Sequence, residues 1–470
     1  MSKEKSDLDP EAIEPTPVSD DQVVAGKPIA HDDVFGEITE NGPNYRDVGW
    51  MGTTALMMKT QIGLGVLSMP QIFDSLGIMP GIILLLAIAV ITTWADWMVG
   101  VFKLRHPHVY GVDDVGRLLF GRVGYEVFGA SFCLLYTFVS GSAILSISIA
   151  LNALSTHAVC TAVFVAIAAV VGFMFSSIQT LGRISWLAWV GALCIIISVF
   201  VVTIAVGIQG HPPVTSETAG MIVKSDYKII ANPTFTKAIS AVSTLVFTYS
   251  GTPAFFSIVA EMREPRLYTR SLLVCQFTVT TVYIVIGVVV YYYCGSYVAS
   301  PALGSAGATV KKVSYGIALP GLIVSAVLFL HLSAKHIFVR ILRGSRHLSS
   351  HTPIHWVTWL GSTFTVTLCA YLIASGVPVF SSLVSLIGAL LGTLLTFQST
   401  GCMWLYDNWK RSVEERSFTW KVGVAWSIFI VLAGTFLLIA GTYGSIVDIM
   451  DSYKESGGSA AWSCADNSGS

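Results

Sequence analysis

Lys59-Thr-Gln-Ile-Gly-Leu-Gly-Val-Leu-Ser-Met-Pro70 and Tyr249-Ser-Gly-Thr-Pro253 decide how this chain is read. Each lies inside an apolar run, 49–73 and 237–260, long enough to cross a bilayer as helix. Unpaired backbone N–H and C=O groups in hydrocarbon cost several kcal/mol each, so a spanning helix normally stays whole. Ile62-Gly63-Leu64-Gly65 ahead of Pro70, and Ser250-Gly251-Thr252-Pro253, break that rule at mid-depth. One Gly-x-Gly alone would also serve as a close helix-packing surface. Two interruptions, each in the first run of a five-run block, are the sequence mark of an inverted-repeat transporter with discontinuous helices.

Working outward, eleven apolar runs are expected to span: 49–73, 77–101, 124–152, 158–178, 185–209, 237–260, 271–294, 314–340, 354–374, 380–405 and 421–445. The composition agrees. Of 470 residues 53% are apolar and 12% charged, about half the charged share of a soluble chain. Too few polar residues remain to cover a soluble surface, which excludes a soluble enzyme and a disordered scaffold. A net charge of −1 points to no polyanionic partner, hence no nucleic acid. The expected fold class is an all-α polytopic membrane protein with a five-plus-five inverted repeat, helices 1 and 6 broken, and the lipid bilayer as its surroundings.

Residues 1–48 hold 12 acidic and 4 basic residues and no apolar run, so a disordered acidic N-tail is expected. Residues 49–445 form the transmembrane domain and 446–470 a C-tail. With the N-tail inside, the inner joints carry 15 Lys and Arg and the outer joints with the C-tail carry 6. That bias puts the N-terminus in the cytosol and the C-terminus outside.

The motifs also carry a family resemblance. The segment 59–70 resembles the first-span signature of the amino acid/auxin permease family; Asp113-Asp-Val-Gly-Arg-Leu-Leu-Phe-Gly-Arg122 resembles its second cytoplasmic joint; Glu261-Met-Arg-Glu-Pro265 resembles the close of its sixth span. The likeness covers about residues 45–450 and is closest to fungal neutral amino acid permeases of the methyltryptophan-resistance type. It implies eleven spans, a cytosolic N-terminus, residence in the plasma membrane rather than the vacuole, and amino acid uptake coupled to a cation gradient. An amino acid sensor is the competing class, yet no joint is long enough for a signalling domain. No phosphate cradle of a primary pump occurs. His331 and His336, five apart on one run, do not face each other as a haem pair would. No enzymatic activity, cofactor or metal is expected.

The breaks leave donors for a carboxylate and carbonyls for an ammonium. Substrate is therefore expected against Ile62, Gly63, Leu64 and Gly65, and against Phe247, Thr248, Tyr249, Ser250 and Gly251. The resemblance adds spans 3 and 8 as facing walls, with Tyr136 and Ser140 on one helix face and Ser325 and Phe329 on another. No acidic residue sits in either break, which favours small neutral amino acids, aromatic ones among them. Lys59 lies three residues before Ile62, where a lysine is costly and functional by default, and is the expected proton-coupling residue, with Glu261 or His331 as alternatives. Glu261 is also a gating candidate, through Arg263 or another base. Asp74 and Asp96 are expected at the interfaces, and Lys335 is expected to snorkel. On this topology Cys160 and Cys464 lie on the oxidising side, and a disulfide between them is expected, free thiols being the alternative.

Overall fold

The structure is a computed structural model that describes residues 31–32, 36–37, 47–179, 181–210, 224–348, 352–376, 380–409, 417–455, 462 and 464–468. The expected disorder of the N-tail therefore falls almost wholly outside the described residues. Apart from a two-residue antiparallel pairing of His31–Asp32 with Gly36–Glu37 and an isolated bridge between Val48 and Met262, the regular structure among the described residues is helical.

The first apolar run is interrupted. Helix α1 (Trp50–Ile62) stops at Gly63, a 3-10 turn follows over Gly65–Ser68, and α2 (Met69–Leu76) completes the passage. The chain then builds α3 (Ile78–Arg105), α4 (Val112–Ser155), α5 (Thr161–Ser176) and α6 (Leu181–Gln209). The second block repeats the pattern: α7 (Phe235–Thr248) and α8 (Thr252–Ala260) flank the interruption Tyr249–Gly251, and α9 (Tyr268–Cys294), α10 (Ala308–Leu342) and α11 (Pro353–Gly376) follow. Then α12 (Phe380–Ile387) and α13 (Ser399–Asn408) bracket two π-helical turns, and α14 (Phe418–Glu455) closes the chain. Among the described residues nine stretches are long and apolar enough to cross a membrane, the α7–α8 passage included. Thr161–Ser176 is shorter, and the first passage is divided into pieces too short to qualify.

Four features differ from the sequence reading, among them the start of α10 at Ala308, six residues before the expected 314. Asp113–Arg122 is helical rather than a joint, because α4 begins at Val112 and turns at Gly121, whose φ of 66° only glycine adopts freely. The tenth run winds into π turns at Gly388–Gly392 and Leu394–Gln398, where the backbone of Gly388 packs directly on Ser243 of α7. Helix α14 continues to Glu455, ten residues past the expected end.

Helices α1, α7, α8 and α10 sit innermost, with nearly every described side chain of α8 and of the middle of α10 buried. Helix α10 packs on α4 and α6, α1 on α6 and α9, and α7 on α2, α12 and α14. The end of the bundle where residues 47–50 enter is laced with ion pairs. Arg343 holds Asp114, Arg340 holds Glu126, Arg105 and His106 hold Asp407, and Arg263 holds Asp47. Val48 runs beside Met262, its N–H donating to the Glu261 carbonyl and its carbonyl accepting from Arg263. Residues 47 and 48 thus belong with the bundle. The opposite end instead holds a cavity of about 430 Å³ lined by Gln71, Asp74, Lys228, Lys237, Thr244 and Asp448 among others. Gln71 and Thr244 each lie within about one turn of an interruption.

Candidate functional site

The two interruptions lie against each other in the middle of the bundle. A Cβ on Gly65 would come 3.0 Å from Cα of Thr248, and one on Gly251 would come 2.8 Å from the Thr60 hydroxyl. Only glycine allows that approach. Pro70 and Pro253 each fall in the first turn of the helix resuming after the break, where the missing N–H costs nothing. The resumed helices point the positive end of their dipole at the gap; the N–H groups of Gly251 and Ala254 already donate to the carbonyls of Tyr249 and Gly251 within the span-6 break.

Tyr283 of α9, absent from the sequence reading, clasps the breaks. Its hydroxyl lies 2.8 Å from the carbonyl of Gln61 and 2.9 Å from that of Thr248, the last turns of α1 and α7. One O–H so placed serves two carbonyls freed by the interruptions. Tyr249 meets the Tyr283 ring edge-on at 5.3 Å, and its hydroxyl lies 3.0 Å from Thr280. No local signal separates Tyr283 from the other tyrosines of its run.

The walls expected from α4 and α10 do meet. The rings of Tyr136 and Phe329 stack with centroids 5.8 Å apart, 14° from parallel. Ser140 instead spends its hydroxyl on the Tyr136 carbonyl of its own helix. Ser325 faces α1, accepting a 2.6 Å hydrogen bond from Lys59 Nζ and donating to the Gly321 carbonyl. Lys59 is fully buried, and among the described residues no carboxylate lies within ion-pair distance. Its stem packs past Gly191 of α6 while its ammonium bonds α10, so this side chain joins α1 to both beside the break. Phe247, Thr248 and Tyr249 are buried as well, Phe247 against the first π turn.

Two side chains stand elsewhere than expected. Lys335 does not snorkel: it is buried and donates at 2.6 Å to Glu261, with 2% and 1% of the two side chains exposed. Glu261 therefore takes its base from α10, not from Arg263, which pairs with Asp47. Asp96 is not interfacial. It is fully buried and accepts 2.6 Å hydrogen bonds from Thr252 and Gln276. Length along a run misled both readings, since depth depends on which helices close over a position. His331 is buried with its ring edge on Trp359 at 5.3 Å. At the far end of the bundle Cys160 and Cys464 form a disulfide, with Cα atoms 4.4 Å apart.

Two broken helices clasped at mid-depth, walled by two further helices, with one end sealed and a cavity at the other, define a membrane transporter of the inverted-repeat kind. Solved structures share this fold. A Na+-coupled sialic acid symporter in its substrate-bound outward-open state matches 87% of this chain and 92% of its own with a TM-score of 0.53 at 13% identity. A nucleobase-cation-symport-1 family transporter in a closed conformation matches 91% and 97% with a TM-score of 0.55 at 11% identity. The family described as transmembrane amino acid transporter protein matches residues 46–447, and the chain belongs to it. It is 31% identical to a protein of Neurospora crassa named N amino acid transport system protein, over 97% of both chains, and to a Gibberella moniliformis protein named transmembrane transporter, again over 97% of both.

Proposed function

We propose that the chain imports neutral amino acids, aromatic ones among them, across the plasma membrane by proton symport and alternating access. It would do so with eleven spans, the N-terminus cytosolic and the C-terminus outside. Family membership and the name of the Neurospora relative support amino acid transport, and the fold neighbours are symport proteins. Substrate carboxylate would lie at the amino ends of the resumed helices beside Gly63–Gly65 and Gly251, and its ammonium toward the carbonyls of Ile62 and Phe247–Tyr249. Its side chain would lie toward Tyr136, Ser140, Ser325 and Phe329. The aromatic lining favours aromatic side chains among the neutral amino acids, and no carboxylate stands within either break.

The observation that carries proton coupling is Lys59, a buried ammonium bound to Ser325 beside the span-1 break. A bound sodium ion could supply positive charge there; a lysine in that place supplies it instead and can release its proton as access alternates. Glu261, locked to Lys335 at the sealed end, would act as the inner gate.

The test is accumulation of labelled phenylalanine in vesicles at external pH 5 and 7.5, with and without sodium, for wild type, Lys59→Ala and Lys59→Gln. Acid-driven accumulation lost in both variants is expected. Retention of full pH-driven accumulation by both would remove Lys59 from coupling, and sodium-driven, pH-indifferent uptake by wild type would end the proton reading. Lysine or arginine competing better than phenylalanine or leucine would end the neutral-substrate reading.

A further inference from the structure

Asp96 of α3 is the acid the proposed transport cycle leaves unused. It is fully buried, and among the described residues no cation lies within ion-pair distance. Charged side chains inside a membrane bundle mark ion and proton pathways. Its two oxygens are addressed separately: Oδ1 accepts from the Thr252 hydroxyl and Oδ2 from the Gln276 amide, each at 2.6 Å. Its backbone carbonyl accepts from the Tyr268 hydroxyl, which holds this turn of α3 against α9.

This shell suits both protonation states. With Asp96 charged, Thr252 and Gln276 donate to it. With Asp96 protonated, half a turn of the Gln276 amide presents Oε1 as acceptor for the new O–H. That oxygen is buried and has no hydrogen-bond partner among the described residues. The Thr252 hydroxyl can donate or accept as required. The titratable groups facing Asp96 from the packed helices are Tyr136 of α4 and Tyr268 and Cys275 of α9. The charged residues of its surroundings are engaged elsewhere: Glu261 at the end of α8 with Lys335, Arg270 of α9 over the Trp50 ring, and Arg105 with Asp407 of α13.

Thr252 is the first residue of α8, immediately after the break. A carboxylate bound to its hydroxyl lies beside the positive end of that half-helix, the end proposed to receive substrate carboxylate. We infer that Asp96 is a proton-binding site on the span-6 side of the breaks, and that its negative charge and the substrate carboxylate compete for the amino end of α8. Protonation neutralises the first and frees that end for the second, so proton and amino acid bind together. By linkage each raises the affinity of the other. The inference rests on the proton-symport reading and gives the span-6 break what Lys59 gives the span-1 break.

The experiment measures phenylalanine binding and pH-driven accumulation in proteoliposomes for wild type, Asp96→Asn, Asp96→Glu and Thr252→Val. Asp96→Asn, a fixed mimic of the protonated state, is expected to bind substrate at pH 7.5 as wild type does at pH 5. It should exchange substrate without pH dependence and lose accumulation, and Asp96→Glu should restore a pH response. Thr252→Val removes a donor to the charged form, so the pH of half-maximal binding should move upward. Accumulation by Asp96→Asn with the wild-type pH profile overturns the inference. Should Asp96→Asn not reach the vesicles, Thr252→Val decides, and an unmoved midpoint overturns it. If the Lys59 variants lose pH response while Asp96→Asn keeps it, proton symport stands and the Asp96 site falls. If wild type follows sodium alone, both fall.

Discussion

The Glu261–Lys335 pair is the most deeply buried of the described ion pairs at the sealed end, and that burial sets its energetics. The pair spans 2.6 Å between the end of α8 and α10, and solvent reaches 1% and 2% of the two side chains. Screening by water is therefore negligible, and neither ion can rehydrate when its partner is removed. Deleting one member of such a pair takes this counter-ion from a buried charge and costs about 3–5 kcal/mol. Replacing both with uncharged residues of similar size removes the Coulomb attraction and both desolvation penalties together, so the net change is small, within about 1–2 kcal/mol. Glu261→Gln and Lys335→Met should each lower unfolding free energy by about 3–5 kcal/mol, and the double variant should recover most of it. An opening that separates Glu261 from Lys335 would cost less in each single variant, so each should also shift the resting population toward opening there. A 3–5 kcal/mol bias moves such an equilibrium by about 2 to 3.5 powers of ten. The assay is SDS-titrated unfolding of the purified protein as a double-mutant cycle. Additive losses, or single variants within about 1 kcal/mol of wild type, would refute the reasoning.

Gly65→Ala would place a Cβ 2.7 Å from the Tyr283 hydroxyl and 3.0 Å from Thr248, an overpacking cost of about 1–3 kcal/mol that opens the clasp between the breaks. Uptake should fall by at least about fivefold at normal membrane abundance, while Gly361→Ala, with open space around its Cβ, transports normally; equal activity of the two refutes the clasp. Cys464→Ser cuts a bridge between residues 304 apart in sequence and should cost about 2–4 kcal/mol, seen as a lower melting temperature that reduction of wild type reproduces; labelling of unreduced wild type at these cysteines by an impermeant maleimide would contradict the bridge. At Asp226, slight burial raises the carboxyl, but hydrogen bonds from the Ser296 N–H and hydroxyl outweigh it and hold it below the usual carboxylate range. A depressed carboxyl contributes above its unfolded value, about 3.9, and loses that contribution as pH falls through the depressed one. Amides 224–232 should thus be equally protected from hydrogen exchange at pH 7 and 5 in wild type and less protected in Asp226→Asn; lost protection in wild type between those values would refute the anchor.

Much of this architecture was legible in the chain itself. Hydrocarbon leaves no water to pair a backbone, so an apolar run must become helix, and a Gly-x-Gly and a Ser-Gly-Thr-Pro at matching places in two blocks mark where it is interrupted. Ile62–Gly65 and Tyr249–Gly251 were readable for that reason, as was the burial of Lys59. The partners were not. Lys335 lies near the end of an apolar run and reads as a snorkelling lysine, yet α8 delivers Glu261 to it from 74 residues away. Asp96 reads as interfacial, yet Thr252 and Gln276 close on it from 156 and 180 residues away. Tyr283 is one tyrosine among several until Gln61 and Thr248, 222 and 35 residues distant, bring their freed carbonyls to its hydroxyl. Periodicity and composition determine what each segment becomes, because those demands are local. Which charge meets which, and which hydroxyl closes a break, depends on the approach of helices far apart in sequence, and only the packed bundle decides it.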